Sequence, residues 1–265
     1  MPAKGVEIPV PRCLTIATSD SGGGAGIQAD LKAFACAGCH GMSAIVALTA
    51  QNTAGVSAVH EVPPAFVREQ LEMVFSDIGV DAAKTGMLFS RPLIEVVADF
   101  LEAHPVTLVV DPVMVASSGA RLLQEDAVET LVARLFPLAT VITPNLAEAR
   151  ALAGGGETRR ELAERLHALG AHAVIVTGGH GHEAVDHLFD GQEHIEIPVD
   201  RHNVPATHGA GCTHSATLTA LLAHGRSLRQ AARGAAETAS DAVAHGLTEL
   251  GAGEGPVDVF HLSEV

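Results

Sequence analysis

A short segment in the last quarter of the chain, residues 207–213 (THGAGCT), combines two glycines with a cysteine at the start of a helical pattern. Glycine lets the backbone aim several N–H groups at one point, and a helix N-terminus adds positive potential there. We therefore expect Gly209, Ala210 and Gly211 to form an anion hole suited to a phosphoryl group. The same field would lower the pKa of the Cys212 thiol, which predicts a catalytic base or nucleophile.

A second glycine-rich segment, residues 18–26 (TSDSGGGAG), lies between a strand pattern and a helix pattern. Such a turn lets the backbone approach a ligand closely. Gly24, Gly26 and Ala29 also fit the dinucleotide fingerprint, but residues 31–60 contain no Asp or Glu to bind a ribose. A dinucleotide site is therefore excluded, and the absence of a G-x-x-x-x-G-K-[ST] motif excludes a P-loop.

Two carboxylates follow other strand patterns. Asp111 ends the run VTLVVD, and Glu148 lies in the segment TPNLAE. Carboxylates at strand ends can hold Mg²⁺ beside nucleotide phosphates, although each could also be a helix cap or an ion-pair partner. Next to an anion hole, they favour phosphoryl transfer.

These residues must be positioned by elements that alternate along the chain. Short apolar runs predict strands at residues 13–17, 106–110, 140–142 and 173–176. Amphipathic patterns predict helices at residues 64–75, 91–103, 125–136, 159–169, 212–224 and 228–245. Strands that alternate with helices imply an α/β fold with a mostly parallel sheet covered on both faces.

The pattern changes late in the chain, where residues 184–189 and 194–199 flank Asp190-Gly191, a hairpin signal. An antiparallel pair should therefore finish one edge of the sheet. The chain has neither a Pro- or Ser-rich linker nor a repeat, so residues 1–265 are expected to form one domain. Ligands in such sheets bind beyond the carboxyl ends of the strands, where the glycine segments and carboxylates lie.

Composition narrows the function further. The 265 residues include 31 acidic and 16 basic ones, a formal charge of −15, which argues against a nucleic-acid partner. No run of 18 apolar residues occurs, so no membrane span is expected. Four cysteines are too few for a disulfide framework, which favours a reduced, cytoplasmic location. There is no Trp or Tyr, so a ring ligand must be held by other groups.

Six segments in this order carry a family resemblance: SDSGGGAGIQADLKAF, ALTAQNT, AAKTGML, DPVM, ITPNLAEA and THGAGCTHSA. They resemble the hydroxymethylpyrimidine kinase / hydroxymethylpyrimidine-phosphate kinase family of thiamine biosynthesis, over nearly the whole chain. The resemblance implies a ribokinase-like three-layer sandwich. Many sugar and nucleoside kinases of the superfamily have Asp at the position of Cys212. With cysteine at this position, the chain resembles the vitamin-kinase branch instead.

By this resemblance, ATP with Mg²⁺ phosphorylates 4-amino-5-hydroxymethyl-2-methylpyrimidine and then its monophosphate. Cys212 would take the hydroxyl proton, and Asp111 and Glu148 would serve the metal. The resemblance assigns the remaining contacts to two sets. The pyrimidine would contact Asp30, Gln51, Ala25, Met87, Val113 and Thr18, and the nucleotide Thr177, Gly179 and Asn145.

The chain departs from the family pattern at two of these positions. Thr18 stands where members commonly have glycine, and Thr177 stands where they commonly have a lysine near the nucleotide phosphates. Two alternatives remain open at this point: a pyridoxal or pyridoxine kinase, and a catalytically weak relative that binds pyrimidine. The family is commonly dimeric, and an edge strand expected at residues 56–62 could contact a second subunit, so a homodimer is predicted.

Overall fold

A computed structural model describes residues 10–114, 123, 125–178 and 184–264. Its nine strands form one sheet in the order β3-β2-β1-β4-β5-β6-β7-β8-β9. Their bounds are β1 Arg12–Asp20, β2 His40–Asn52, β3 Gly55–Glu61, β4 Ala82–Thr85, β5 Thr107–Val110, β6 Val141–Ile142, β7 Val174–Val176, β8 Val185–Phe189 and β9 His194–Pro198.

The six central strands, β2 to β7 in the sheet, run parallel. The predicted hairpin is confirmed, because β8 and β9 pair antiparallel at one edge. The other edge is also antiparallel, where β3 pairs with β2, and this is the edge strand expected at residues 56–62. The expected α/β architecture, with a mostly parallel sheet and an antiparallel edge, is confirmed.

Eight helices in the described ranges cover the two faces of the sheet. They are α1 Gly26–Cys36, α2 Pro64–Met73, α3 Arg91–Ala103, α4 Glu125–Leu135, α5 Leu146–Leu152, α6 Arg159–Ala168, α7 Ala210–Ala223 and α8 Leu228–Ala244. Five of them, α2 to α6, contribute buried side chains to the core on one face. The others, α1, α7 and α8, pack on the opposite face. None of the described helices combines the length and apolar composition that a membrane span requires.

Small side chains set the spacing on the second face. Helix α8 buries Ala231, Ala232 and Ala235 against the sheet and α7, which lets the two helices approach closely. Helix α7 is itself nearly surrounded, because it contacts α1 on one side and α8 on the other. The N-terminus of a well-packed central helix is thereby fixed beyond the carboxyl ends of the parallel strands.

Candidate active site

Two cavities meet beyond the carboxyl ends of the parallel strands. The first, about 150 Å³, borders the turn at residues 21–26, and we refer to it as the glycine-turn cavity. It is lined by Thr18, Asp20, Ala25, Gly26, Thr49, Gln51, Lys84, Gly86, Met87, Asp111, Val113, Thr143, Asn145, Glu148, Thr177, Thr207, His208, Gly209, Ala210, Gly211 and Cys212. Every site residue expected from the sequence is among them, except Asp30 and Gly179.

The second cavity, about 310 Å³, lies against helix α8, and we refer to it as the α8 cavity. Its apolar wall is formed by Val199 together with Ala236, Ala239 and Val243 of α8. Arg201 lies at the same wall. A cavity of this size with an apolar wall suits a flat ring with a polar extension.

Five residues line both cavities and so mark their junction. They are Asn145, Thr177, Thr207, Ala210 and Gly211. The junction therefore lies at the N-terminus of α7, the segment from which the sequence predicts an anion hole. A group bound at the junction could contact a ligand in each of the two cavities.

The first turn of α7 provides backbone donors at this junction. Gly209 has φ 85°, a left-handed conformation that favours glycine, and precedes the helix. The first i→i−4 bond of the helix runs from the N–H of Thr213 to the carbonyl of Gly209, at 2.8 Å. Gly211 and Cys212 come before Thr213, so their N–H groups have no i→i−4 partner within the helix. The N–H of Ala210 already donates to Thr207 O, at 3.1 Å. Fewer N–H groups are therefore available for the anion hole than expected, because Ala210 lines the junction but its N–H is already bonded.

Asp20 organises the glycine turn that faces this helix. Its carboxylate accepts hydrogen bonds from the N–H groups of Gly22, Gly24 and Ala25, at 2.8, 3.0 and 2.9 Å. It also lies 3.1 Å from Nε2 of His208. Burial alone would raise the pKa of Asp20, but the hydrogen bonds from His208 and the backbone hold it below its ordinary value.

The two glycine segments touch backbone to backbone. A Cβ on Gly209 would lie 1.9 Å from the carbonyl oxygen of Gly24, and a Cβ on Gly24 would lie 2.3 Å from the ring of His208. Real Cβ atoms do not approach other atoms so closely, so both positions require glycine. The sequence spacing could not show that these two segments are in contact.

Polar side chains on the opposite wall are held by their neighbours. The Thr18 hydroxyl donates to Met87 O at 3.0 Å. Thr18 therefore uses its donor within the protein. Gln51 accepts a hydrogen bond from Thr49 at 3.1 Å, and its Nε2 lies 3.4 Å from Nε2 of His208. These contacts fix the Gln51 amide at the edge of the cavity.

Asp30, which was expected to bind the ligand, does not line the glycine-turn cavity. Its side chain is fully buried and forms an ion pair of 2.7 Å with Lys84. It also accepts a hydrogen bond of 2.6 Å from Thr15. The cause is the position of Asp30 on α1, which packs against β1 next to β4, where Lys84 is buried. Asp30 supports the site from below through Lys84.

The Cys212 thiol behaves differently from the sequence expectation. Burial raises its pKa to about 12, opposed by the ammonium of Lys84, while the carboxylates of Asp30 and Asp111 raise it further. The N–H of Gly26 donates to the sulfur and also favours the thiolate. The helix field is therefore outweighed by burial, and the expected lowering of the pKa is wrong. Cys212 is a neutral thiol at pH 7 before any ligand binds.

Asp111 and Glu148, the two expected metal ligands, lie on the same wall. Asp111 is 5% and Glu148 7% exposed. Burial, and then the charge of Asp111, raise the pKa of Glu148 to about 8. Glu148 also accepts from the backbone N–H of Asn145 at 3.0 Å, as part of the capping box that begins α5. Two buried carboxylates that repel each other are a donor set that a hard divalent cation would stabilise.

The expected nucleotide contacts lie at the junction. Thr177 follows β7 and forms a parallel bridge with Asn145. Gly179 lies outside the described residues. Beneath the α8 cavity, Asp186 accepts from the N–H of Gly178 at 2.7 Å and lies 3.0 Å from Nε2 of His214. His214 is 5% exposed, so this side of the site also contains a buried ionisable pair.

Sequence reasoning assigned no role to Lys84, Asp20, His208 or His214. Lys84 lies in the short strand β4, whose four residues are all buried, and a buried lysine needs a partner, but the sequence alone does not show that this strand is buried. Burial alone would lower the pKa of Lys84, but Asp30, Cys212 and Asp111 hold it above its ordinary value. The roles of the other three depend on partners that lie far away in the sequence.

Comparisons with known proteins confirm the expected ribokinase-like fold and identify relatives of the chain. The model of the family described as phosphomethylpyrimidine kinase matches residues 20–258. A hydroxymethylpyrimidine/phosphomethylpyrimidine kinase of Rhizobium meliloti is 49% identical over 256 residues, covering 94% of this chain and 96% of that one. A thiamine biosynthesis bifunctional protein of Geobacter sulfurreducens is also 49% identical, but the match covers only 53% of its length and 94% of this chain.

A solved structure with the same fold is an ADP complex of a Bacillus subtilis pyridoxal kinase. It superposes with a TM-score of 0.87 at 39% sequence identity and covers 96% of this chain and 99% of that one. The fold alone therefore does not distinguish a pyrimidine from a pyridoxal acceptor.

Proposed function

Because the chain belongs to the phosphomethylpyrimidine kinase family, we propose that it transfers a phosphoryl group from ATP to hydroxymethylpyrimidine and then to its monophosphate, in thiamine biosynthesis. The observation that carries the proposal is the junction of two cavities at the N-terminus of α7. Phosphoryl transfer needs an acceptor and a donor that meet in line at one anion-stabilising point. A single-ligand binding module would not need the second cavity.

We place the pyrimidine in the glycine-turn cavity. Ala25, Met87 and Val113 offer apolar contacts for the faces of a small ring, which replaces the stacking that Trp or Tyr would give. The Gln51 amide can both donate to and accept from the ring edge. Because Asp30 is buried with Lys84, its carboxylate supports the cavity wall and does not contact the ring.

We assign ATP to the α8 cavity, with its adenine against Val199, Ala236 and Val243. Its phosphates would extend to Thr177, Asn145 and the first turn of α7. With threonine at position 177, the donors nearest the junction are mainly backbone N–H groups and neutral side chains. The grip on the phosphates would then depend on the helix N-terminus more than on a fixed lysine.

We assign the acceptance of the hydroxyl proton to Cys212. Phosphoryl transfer has a loose transition state, which makes little demand on a base early in the reaction. Cys212 can accept a proton only as a thiolate, so its thiol would first lose its proton to solvent when both ligands are bound, and Lys84 and the N–H of Gly26 are the groups that would stabilise the thiolate. As the oxygen–phosphorus bond forms and the bond to the ADP leaving group breaks, the hydroxyl becomes acidic and its proton passes to the thiolate, which becomes a neutral thiol again.

The donor set of Asp111 and Glu148 fits Mg²⁺, because both are buried hard oxygen ligands next to the junction. Asp111 would hold the ion directly, with Oδ2 also accepting a hydrogen bond of 2.8 Å from Ser215. Glu148 would serve it through water, since its oxygens already accept from the backbone. When bound, Mg²⁺ would supply positive charge that offsets the charge on the phosphates.

We further propose that one catalytic domain accounts for residues 1–265 and that the protein forms a homodimer. The edge strand β3 is the surface that supports the second proposal, since its outer backbone groups can pair with another chain. Light scattering at two protein concentrations tests the dimer, and a monomer mass at both would contradict it. The cytoplasmic location stays a prediction.

The substrate assignment is tested by ATP consumption with hydroxymethylpyrimidine, its monophosphate and pyridoxal, each assayed alone. We expect turnover with both pyrimidines. The structural similarity to a pyridoxal kinase makes pyridoxal the second candidate, and turnover with pyridoxal alone would contradict our assignment. Tight pyrimidine binding without turnover would instead identify a non-catalytic relative.

A further inference from the structure

Four ionisable side chains gather where the C-terminal segment meets the end of α8. Asp241 is in the last turn of α8 and His245 follows the helix directly. His261 and Glu264 belong to a segment that ends in a short 3₁₀ helix, Leu262–Glu264. None of the four lines either cavity of the active site.

The potential ligand atoms of this group are close together. One atom from each of Asp241, His245 and His261 lies within 4.8 Å of the other two. Nε2 of His261 is 2.6 Å from Asp241 Oδ2, and Nε2 of His245 is 3.3 Å from Glu264 Oε1. Ligand atoms bound to one Zn²⁺ at about 2.0–2.2 Å lie about 3.3 Å apart, so only small side-chain adjustments would be needed.

The histidines are oriented for this role by their other contacts. Nδ1 of His245 lies 2.9 Å from the backbone carbonyl of Asp241, and a carbonyl can only accept, so Nδ1 carries the proton. Nε2, which faces the Glu264 carboxylate, is therefore the ring atom of His245 that could bind a metal, the arrangement usual for metal-ligating histidines. The rings of His245 and His261 stack with centroids 4.0 Å apart and an interplanar angle of 19°. The stacking holds the two imidazoles side by side, and a turn of one ring about its side-chain bonds would let both nitrogens meet one ion.

We propose that Asp241, His245, His261 and Glu264 bind one divalent transition-metal ion, with Zn²⁺ as the best match. Two imidazoles and two carboxylates are a set that suits Zn²⁺ better than Mg²⁺, which prefers oxygen ligands alone. The site fastens the C-terminal segment to α8, the helix whose other side lines the α8 cavity.

The proposal is tested by titrating the whole protein with Zn²⁺ and, separately, Co²⁺. The wild type should bind one equivalent of Zn²⁺ that a His245→Ala/His261→Ala double variant loses, with affinity at least about 10-fold weaker in each single variant. The Co²⁺ form should show the strong visible absorption of tetrahedral coordination. The matched control is His60→Ala, an exposed histidine on β3, which should bind as the wild type does.

Two further readouts separate ligand loss from misfolding. Glu264→Gln removes an exposed ligand and should weaken Zn²⁺ binding while the far-UV spectrum stays unchanged. Zn²⁺ should raise the melting temperature of the wild type, a chelator should reverse the rise, and the double variant should show neither effect. Equal Zn²⁺ binding by wild type and double variant, or Co²⁺ absorption typical only of octahedral coordination, would overturn the proposal.

Discussion

The two cavities that meet at α7 are lined by different kinds of side chain. The glycine-turn cavity is walled by buried charged groups, among them Lys84, Asp20 and Asp111, each locked by named partners. The α8 cavity combines a wall of alanines and valines with the exposed side chains of Asp200 and Arg201, and the neutral Thr177 lies where it meets the junction. The acceptor side therefore holds its charged groups in fixed, buried positions, whereas the nucleotide side has an apolar wall and charged groups that remain in contact with solvent.

Each cavity also rests on a buried pair, and the pairs differ in chemistry. Beneath the glycine-turn cavity, Lys84 and Asp30 form an ion pair in which neither side chain is exposed. Beneath the α8 cavity, His214 faces Asp186 at 3.0 Å. Breaking a fully buried ion pair leaves an uncompensated charge inside the protein, which is strongly destabilising. The acceptor side is therefore the more costly half to disturb.

The largest expected effect is on stability. Lys84→Met leaves the Asp30 carboxylate buried without its counter-charge, so we expect the free energy of unfolding to fall by about 3–5 kcal/mol. Urea denaturation measures it. Lys32→Met, which removes an exposed lysine, should cost far less, and Asp30→Leu combined with Lys84→Met should recover much of the loss. An unchanged urea midpoint in Lys84→Met would contradict the difference that we describe between the two cavities.

The next effect is on the chemical step, where both cavities meet. Cys212→Ala removes the proposed proton acceptor, so we expect kcat to fall by about 10²-fold, the usual scale for a positioned base. KM for either ligand should change little, because the thiol is small and neutral in the free protein. Cys36→Ala, an exposed cysteine away from both cavities, is the control. If the Cys212→Ala rate matched the wild type, the sulfur would have no part in proton transfer.

A smaller effect separates the two glycines of the anion-hole segment. A Cβ at Gly211 meets nothing within 4 Å, so Gly211→Ala should fold normally but place a methyl group at the junction and lower kcat about 10-fold. Gly209→Ala should instead lose stability, because its φ of 85° alone costs about 1–2 kcal/mol and its Cβ meets Gly24. Steady-state kinetics and thermal unfolding of both variants test this. A stable Gly209→Ala protein would contradict the close contact of the two loops.

The smallest effect concerns the nucleotide side. Thr177→Lys adds a cation at the junction, so we expect KM for ATP to fall two- to five-fold, corresponding to about 0.5–1 kcal/mol, with KM for the pyrimidine unchanged. Arg201→Ala is the companion variant, because Arg201 lines the α8 cavity. If Thr177→Lys has no effect and Arg201→Ala raises KM for ATP, then the arginine already supplies the missing charge.

The order of the elements was well predicted because hydrophobic periodicity is a local signal. Helix α3 begins and ends at the predicted residues, and the hairpin of β8 and β9 follows from Asp190-Gly191. Helix α7 begins two residues before the predicted start, since Ala210 and Gly211 carry no strong helix signal. Strands β2 and β4 and helix α5 were not predicted, and β4 is hard to detect because two of its four residues, Lys84 and Thr85, are polar.

The residues of the candidate site were predicted better than their ion pairs and pKa values. The expected residues converge because parallel strands share one carboxyl edge, which topology alone ensures. The burial of Asp30 and the raised pKa of Cys212 were both missed for the same physical reason. Each depends on Lys84 and on burial, and these partners come from different strands and helices. The local sequence shows where the helix begins, but it does not show how deeply the helix N-terminus is buried.

The backbone contact between Gly24 and Gly209 also has a consequence for folding kinetics. It joins two loops from nearly opposite ends of the chain, so the entropy of closing that long loop must be overcome before the contact can form. Local pairs such as α7 with α8 do not carry this cost. We expect helical content to return early during refolding and enzymatic competence to return last. The anion hole would then report completion of the native state rather than its nucleation.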